Sequence, residues 1–405
     1  MKTKKLLVIL FLIFLILFSF NCVLANEDTF DNFSVNTDAV FLMDNKTNKV
    51  LYSKNEDKKM YPASTTKILT AIIVIESTNL DDIVTASYDA IMSIPDGYAT
   101  ANIQIGEQLT VEQLLELMLV YSANDAATVL AEYVGGSVDS FVSIMNTKLN
   151  ELGLSQSHFT NPYGKHDENH YTTAHDLAFI MKYCLKNDTF RKISGQASCA
   201  IPETNKSRTR TYTSTNELLI PGTKNYYPYI MTGKTGYTTQ AKECLVSSSY
   251  RNDLELIGVV LGSDNRFSYT RSLYEYAYSN YSMKYIVKEK NVVTNIEISN
   301  ATKETKNLDL LVNEDILALV NNSDKISEIE PEIRLNENIL APIEEGDILG
   351  KVTYTVNGVN YTTDLIASHT VEKSKILSYA LYISIVFIVL LLIYKIYMKL
   401  KRQEK

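Results

Sequence analysis

The sequence of 405 residues has no tryptophan, 8 prolines, 15 glycines, 5 histidines and 4 cysteines. So little Pro and Gly, in a chain 45% apolar and 21% charged, excludes collagen-like, low-complexity and disordered classes. The length accommodates two or three domains with a sizeable core, and no internal repeat is visible. The few cysteines exclude a disulfide scaffold. Cys22 lies in a segment read below as removed, and Cys184, Cys199 and Cys244 are an odd set that allows one bridge at most. Positive charge is scarce too. The net charge is −8, and with +3 in residues 1–25 and +4 in residues 395–405 the stretch between them carries −15. An acidic body with basic ends excludes nucleic acid as a partner.

The two ends read as membrane addresses. Lys2, Lys4 and Lys5 precede the apolar run Leu6 to Phe20 and then Val23-Leu24-Ala25, which describes a secretory signal peptide over 1–25, cut after Ala25. The run is short for a retained span. Residues 26–36 are a polar linker. At the other end Ile376 to Tyr394 is broken only by Ser378 and Ser384, and is long enough to cross a hydrocarbon core of roughly 30 Å. Lys395, Lys399, Lys401 and Arg402 follow. The positive-inside rule makes 395–405 a cytoplasmic tail and puts residues 26–375 outside. The expectation is a single-pass cell-membrane protein, with 371–375 as its juxtamembrane stretch.

Between these ends two regions differ in pattern. Ala39 to Lys54 alternates around Asp44-Asn45-Lys46-Thr47-Asn48 and predicts a β-hairpin. Pro62 opens a helix carrying Ile68, Leu69, Ile72, Ile73 and Ile75, apolar enough to be buried. Thr110 and Gln113 form a capping-box signature before the run Leu114 to Val120. A helix then reaches Gly135-Gly136, and another puts Phe141, Ile144, Met145, Leu149 and Leu152 on one face before Gly153. Residues 155–175 read as loop, with a helix from about Thr173. Strands are predicted at 228–239, 243–250 and 254–262, and a helix at about 266–280. The first domain is expected at 37–284. Residues 285–370 read as a small β domain of short alternating segments, and Asn357-Gly358 between two of them is a hairpin signal.

Three short motifs carry possible chemistry. Ser64 and Lys67 lie three residues apart on one helical face, where an amine with a lowered pKa can activate a hydroxyl. The helix N-terminus also offers N–H groups to an oxyanion. Ser122 and Asn124 stand at a junction between two helices. Lys234-Thr235-Gly236 lies in a strand, where glycine marks close backbone approach. Alone, the second and third motifs read more readily as an N-cap and a hairpin residue, and the first as a cap with a surface lysine, against which Ile68 and Leu69 leave the helix hardly any polar face.

In this order the three resemble the signature of the penicillin-recognising serine enzymes. Tyr61-Pro62-Ala63-Ser64-Thr65-Thr66-Lys67-Ile68-Leu69-Thr70, Tyr121 to Ala127 and Phe159-Thr160-Asn161-Pro162-Tyr163-Gly164 are similar to the low-molecular-mass D-Ala-D-Ala carboxypeptidases. His170 to Ala174 and Lys234 to Thr238 extend the likeness, which runs from about residue 37 to 280. Ala341-Pro342-Ile343 and Gly346-Asp347 look like that family's C-terminal β domain. The resemblance implies an α+β fold: a β-lactamase/transpeptidase-like catalytic domain with an antiparallel sheet and a helical part. A small all-β domain and the transmembrane helix would follow.

It also implies that Ser64 attacks the bond between the last two residues of a peptidoglycan stem peptide ending in D-Ala-D-Ala. Lys67 would be the base, kept neutral partly by Lys234. Ser122 would relay a proton and Asn124 hold the substrate amide. Lys234 and Thr235 would take the terminal carboxylate, with Arg266 in support. The N–H groups of Ser64 and Tyr237, beside Gly236, would form the oxyanion hole. β-Lactams would stall the acyl-enzyme, and no cofactor or metal is implied.

Two places depart from the family pattern. Ala241-Lys242 stands where Ala-Gly is usual, and Thr47-Asn48 where Thr-Gly is frequent. A class A β-lactamase would need a Glu-x-x-Leu-Asn segment between the second and third motifs, and none exists. A zinc peptidase would need His-Glu-x-x-His, whereas the histidine cluster reads His166-Asp167-Glu168-Asn169-His170, beside His158 and His175. These are loop histidines, with His170 expected to brace the site wall. A wall-binding protein without turnover is the non-enzymatic alternative.

Overall fold

The computed structural model describes residues 33–403. The expected signal peptide, Cys22 and most of the linker therefore lie outside the described residues, as do Glu404 and Lys405 of the tail. The catalytic sheet has five antiparallel strands in the order Val50–Lys54, Ala39–Asp44, Leu254–Ser263, Lys242–Arg251 and Ile230–Thr238. Its hairpin and its last three strands follow the sequence pattern to within two residues. Pairing of Ala39–Asp44 with Leu254–Ser263 closes the sheet from two distant parts of the chain and leaves Ile230–Thr238 at an edge. Alternation along the central strand serves two faces. Ile257, Val259 and Leu261 join the main core with Ile68, Leu69 and Ile72. Gly258 faces the other way, where a Cβ would stand 3.0 Å from the Tyr274 hydroxyl of helix Arg266–Asn280.

Helix Lys67–Ser77 runs through that core, with every side chain from Lys67 to Val74 buried. It starts later than Pro62, because a 3₁₀ turn, Ala63–Thr66, comes first. Both bonds of the capping box form: the Gln113 N–H donates to Thr110 Oγ1 at 3.2 Å and the Thr110 N–H to Gln113 Oε1 at 2.9 Å. The helix they start, Val111–Glu116, passes into a π-helical turn, Leu117–Tyr121, that ends at Ser122 with φ of 71°. Helix Asn124–Gly135 stops at left-handed Gly136. In helix Val138–Glu151 the buried stripe is Phe141, Met145 and Leu149, at strict i, i+4 spacing. Ile144, expected on that face, is 36% exposed because it flanks the stripe, and Leu152, in line with the stripe, is only partly buried because it lies past the last turn, at the C-cap. Thr173 caps helix Ala174–Cys184 by accepting from the Asp176 N–H.

The C-terminal β domain pairs Tyr281–Val287 with Ile316–Asn321. A second sheet runs in the order Val292–Glu297, Asn307–Val312, Val359–Ala367, Ile348–Val356, Pro331–Leu335. Leu308, Leu310, Val352 and Leu365 fill its core. Asn357 (φ 51°) and Gly358 (φ 76°) make the predicted hairpin turn, which needs left-handed residues at both positions. Helix Ile376–Gln403 then extends for 28 residues, and its window Tyr379–Ile396 has a mean hydropathy of 2.3 with nothing buried. Cys184, Cys199 and Cys244 are all buried and free, so the bridge that the count permitted is not formed.

Candidate active site

Ser64 rides on the 3₁₀ turn, and the turn is held by backbone contacts on two sides. Ala63 has φ of 48°, a strained value for a residue with a Cβ. Thr65 Oγ1 donates to the Pro62 carbonyl and Thr66 Oγ1 to the Ala63 carbonyl, at 2.7 and 2.8 Å. Gly164, itself left-handed, presses on one side: a Cβ there would lie 1.8 Å from the Ala63 oxygen. Gly236 presses on the other, where a Cβ would lie 2.8 Å from the Pro62 oxygen and 3.0 Å from the Ser64 nitrogen. Both glycines are required by close approach, and the glycine of the third motif is thus what lets its strand reach the Ser64 turn.

Lys67 lies one helical turn on, with its Nζ among four oxygens. Asn124 Oδ1 is at 2.6 Å, Ser64 Oγ at 2.9 Å, the Tyr163 carbonyl at 3.1 Å and Ser122 Oγ at 3.5 Å. Burial holds the amine well below its usual value, and the Lys234 charge lowers it further against an opposing pull from Asp125. The sequence pointed to Lys234 as part of the cause, but burial is the larger part. A neutral amine has two hydrogens and one lone pair. The Asn124 and Tyr163 oxygens can only accept and so take the hydrogens, which leaves the lone pair for the Ser64 hydroxyl. That arrangement lets the amine accept a proton from the hydroxyl.

The second motif sits where the π-helical turn ends. Its Ser122 is left-handed and 8% exposed, and Asn124 opens the next helix. Asp125, two residues beyond the motif's middle, accepts from the Ala101 and Ile103 N–H groups at 3.0 Å each and ties the loop beside the cleft to this helix.

The third motif lies on the edge strand. Lys234 is almost fully buried, its Nζ donates to the Thr235 carbonyl at 3.0 Å, and burial followed by the nearby Arg266 charge brings it down to about 7. Thr235 is buried and Tyr237 is 64% exposed at the cleft mouth. Arg266 stands behind this strand: its Nη1 donates to the Gly236 carbonyl at 2.9 Å, and its own N–H donates to Glu243. Lys242 adopts φ of 55°, so the turn that departs from the family pattern keeps a left-handed residue without glycine. Ser64, Asn124, Tyr98, Tyr163, Tyr237 and Gln240 are among the walls of a cleft of about 410 Å³.

His170 braces the wall as expected. The Thr160 N–H donates to its Nδ1 at 3.0 Å, which fixes the proton on Nε2, 2.8 Å from Thr66 Oγ1. Burial lowers it to about 3, so the ring stays neutral. Among the described residues no group of His, Cys, Asp and Glu could hold a metal ion.

Sequence reasoning missed three contributors. Tyr163 supplies a main-chain oxygen, which carries no side-chain signal. Asp125 resembles any acid at a helix start. Thr215, whose Oγ1 lies 2.6 Å from Thr235 Oγ1, comes from a segment with no motif.

A serine beside a buried lysine whose charge is disfavoured, with a second buried lysine on a sheet edge, fits the serine acyl-transfer enzymes as a class. A family profile described as D-alanyl-D-alanine carboxypeptidase matches residues 25–265, and one described as penicillin-binding protein 5, C-terminal domain, matches residues 281–373. The D-alanyl-D-alanine carboxypeptidase DacF of Bacillus subtilis is 31% identical over 326 residues, covering 78% of this chain and 81% of that protein. Penicillin-binding protein 5 of Haemophilus influenzae superposes with a TM-score of 0.64 at 26% identity, covering 84% of this chain and 98% of that one. The Streptomyces K15 DD-transpeptidase superposes with a TM-score of 0.57 at 31% identity, covering 61% of this chain and 98% of that one. The chain belongs to the D-alanyl-D-alanine carboxypeptidase family and is a serine-type hydrolase of that class.

Proposed function

We propose that this carboxypeptidase works from the outer face of the cell membrane, removing the terminal D-Ala of peptidoglycan stem pentapeptides through an ester on Ser64, and that β-lactams trap that ester. The observation that carries the reading is the buried Lys67 amine, held well below its usual value and 2.9 Å from Ser64 Oγ. Lys67 takes the Ser64 proton as Oγ attacks the penultimate D-Ala carbonyl carbon. The Ser64 and Tyr237 N–H groups receive the oxyanion. Breakage of the C–N bond needs a proton on the leaving amine, which Lys67 returns through Ser122. Asn124 has its Oδ1 taken by Lys67 and offers its Nδ2 hydrogens to the substrate amide. Lys234 and Thr235 receive the terminal carboxylate, with Arg266 behind them. Water, deprotonated by Lys67, then cleaves the ester, and the proton returns to Ser64. The exposed apolar helix Ile376–Gln403 and its basic end support the anchor and an extracytoplasmic active site.

The test uses the full chain in detergent and a pentapeptide ending in D-Ala-D-Ala. Ser64→Ala should lower D-Ala release by on the order of 10³-fold or more. It should also abolish covalent labelling by benzylpenicillin. Equal release from both forms sinks the serine mechanism. Penicillin labelling without D-Ala release favours a wall-binding protein. The K15 protein's name raises a second reading, transfer of the acyl group to an amine, and adding an acceptor amine to the same assay reads it directly.

A further inference from the structure

The Thr215–Thr235 pair is the feature that the three motifs leave unexplained. The two hydroxyl oxygens lie 2.6 Å apart, and among the described residues neither has another hydrogen-bond partner. Thr215 is fixed by its main chain. Its N–H donates at 3.1 Å to the carbonyl of Val120, two residues before Ser122. The flanking Ser214 N–H donates to the Ala197 carbonyl, and Ser214 Oγ accepts from the Asn216 N–H at 3.1 Å. Ser214 and Asn216 are buried. Thr215 therefore spans from the second-motif turn to the third-motif strand.

Each hydroxyl has one hydrogen, and one of the two occupies the short contact. If Thr235 donates to Thr215, Thr235 meets an arriving carboxylate with lone pairs alone, which repel it. If Thr215 donates to Thr235, the Thr235 hydrogen is free to face the carboxylate, and the donation it receives polarises that bond. Lys234 cannot set this direction, because its Nζ donates to the Thr235 carbonyl and not to the hydroxyl.

We infer that Thr215 is a positioning residue for the substrate carboxylate: it donates to Thr235 Oγ1 and so aims the Thr235 hydroxyl hydrogen at the carboxylate of the terminal D-Ala. This rests on the reading that Lys234 and Thr235 receive that group.

The experiment compares kcat/KM for a D-Ala-D-Ala pentapeptide and its C-terminal carboxamide, using the full chain in detergent. Thr215→Val, close in volume, should lower the carboxylate-to-carboxamide ratio roughly tenfold, mainly through KM, as loss of a hydrogen bond to a charged group does. Thr215→Ser should recover most of it. In a Thr235→Val background, Thr215→Val should add nothing further. A parallel fall for both substrates, without recovery by serine, marks a merely structural role and overturns the inference. An unchanged ratio in Thr215→Val, with a lowered one in Thr235→Val, overturns it while leaving the carboxylate seat standing. An unchanged ratio in Thr235→Val removes the seat itself and the inference with it. Thr215→Ala replaces the valine form if thermal unfolding shows that form is not folded.

Discussion

The catalytic domain and the C-terminal β domain bury different things. Asp44, Lys67, Glu107, Asp125, Asp176 and Lys234 are ionisable residues inside the first, together with His170 and a series of serines and threonines. Among the described residues Thr363 is the one buried polar side chain of the second. Burying a charge or an unpaired polar group is costly, and a fold carries that cost where chemistry needs it. The β domain is packed as an apolar module, whereas the catalytic domain buries ionisable groups both in structural pairs such as Glu107–Arg210 and at the cleft, where Lys67 meets Ser64 and Asn124.

The contrast can be broken first at glycines. Gly164→Ala should have the largest effect, because its Cβ would fall 1.8 Å from the Ala63 oxygen and displace the nucleophile turn. Penicillin acylation of Ser64 should slow by on the order of 10²-fold, as a small misplacement of a reacting group does. An unchanged rate would show that the turn is not held from that side.

Next comes the response to pH. Lys234 falls from the usual 10.5 to about 7 on folding, so between those values the unfolded chain binds the extra proton and stability rises with pH. The slope is at most about 1.4 kcal/mol per pH unit for one proton. Lys234→Met should flatten that rise, measured as urea midpoints between pH 7 and 9. It should also move the acidic limb of kcat/KM upward, because the lost cation had lowered Lys67. A limb that stays in place would refute the coupling between the two lysines.

The smallest effect is expected in the β domain. Gly358 has φ of 76° with nothing within 4 Å of a Cβ, so Gly358→Ala costs only backbone strain, about 1 kcal/mol. D-Ala release per molecule should stay at the wild-type rate. A fall in that rate would mean that the two domains are coupled.

What the sequence displayed was local. The Thr110–Gln113 box, the Asn357-Gly358 turn, the apolar helix after Ser64 and the terminal helix from Arg266 follow from periodicity, caps and turn residues. The site's motifs were legible for the same reason, since Ser64 and Lys67 meet across one helical turn. Tertiary contacts were not legible. Tyr163 reaches Lys67 across 96 residues and through a carbonyl that any residue would supply. Thr215 meets Thr235 by closure of a long loop. The positive φ of Ala63 occurs where two glycines from distant parts of the chain come close to its backbone, a contact that no local pattern announces. Ile144 shows the limit from the other direction: periodicity gave the right stripe but drew it too wide.

Lys234 has a thermochemical consequence. Near neutrality the empty site holds this amine on the edge of losing its proton. If Lys234 receives the carboxylate as proposed, the seated anion favours the charged form and occupancy draws a proton out of the solvent. Ligand affinity is then linked to buffer, and the heat of binding contains the buffer's own heat of ionisation. On that reading Lys234 carries about half a charge near pH 7 in the free protein and the whole of it once the anion is seated.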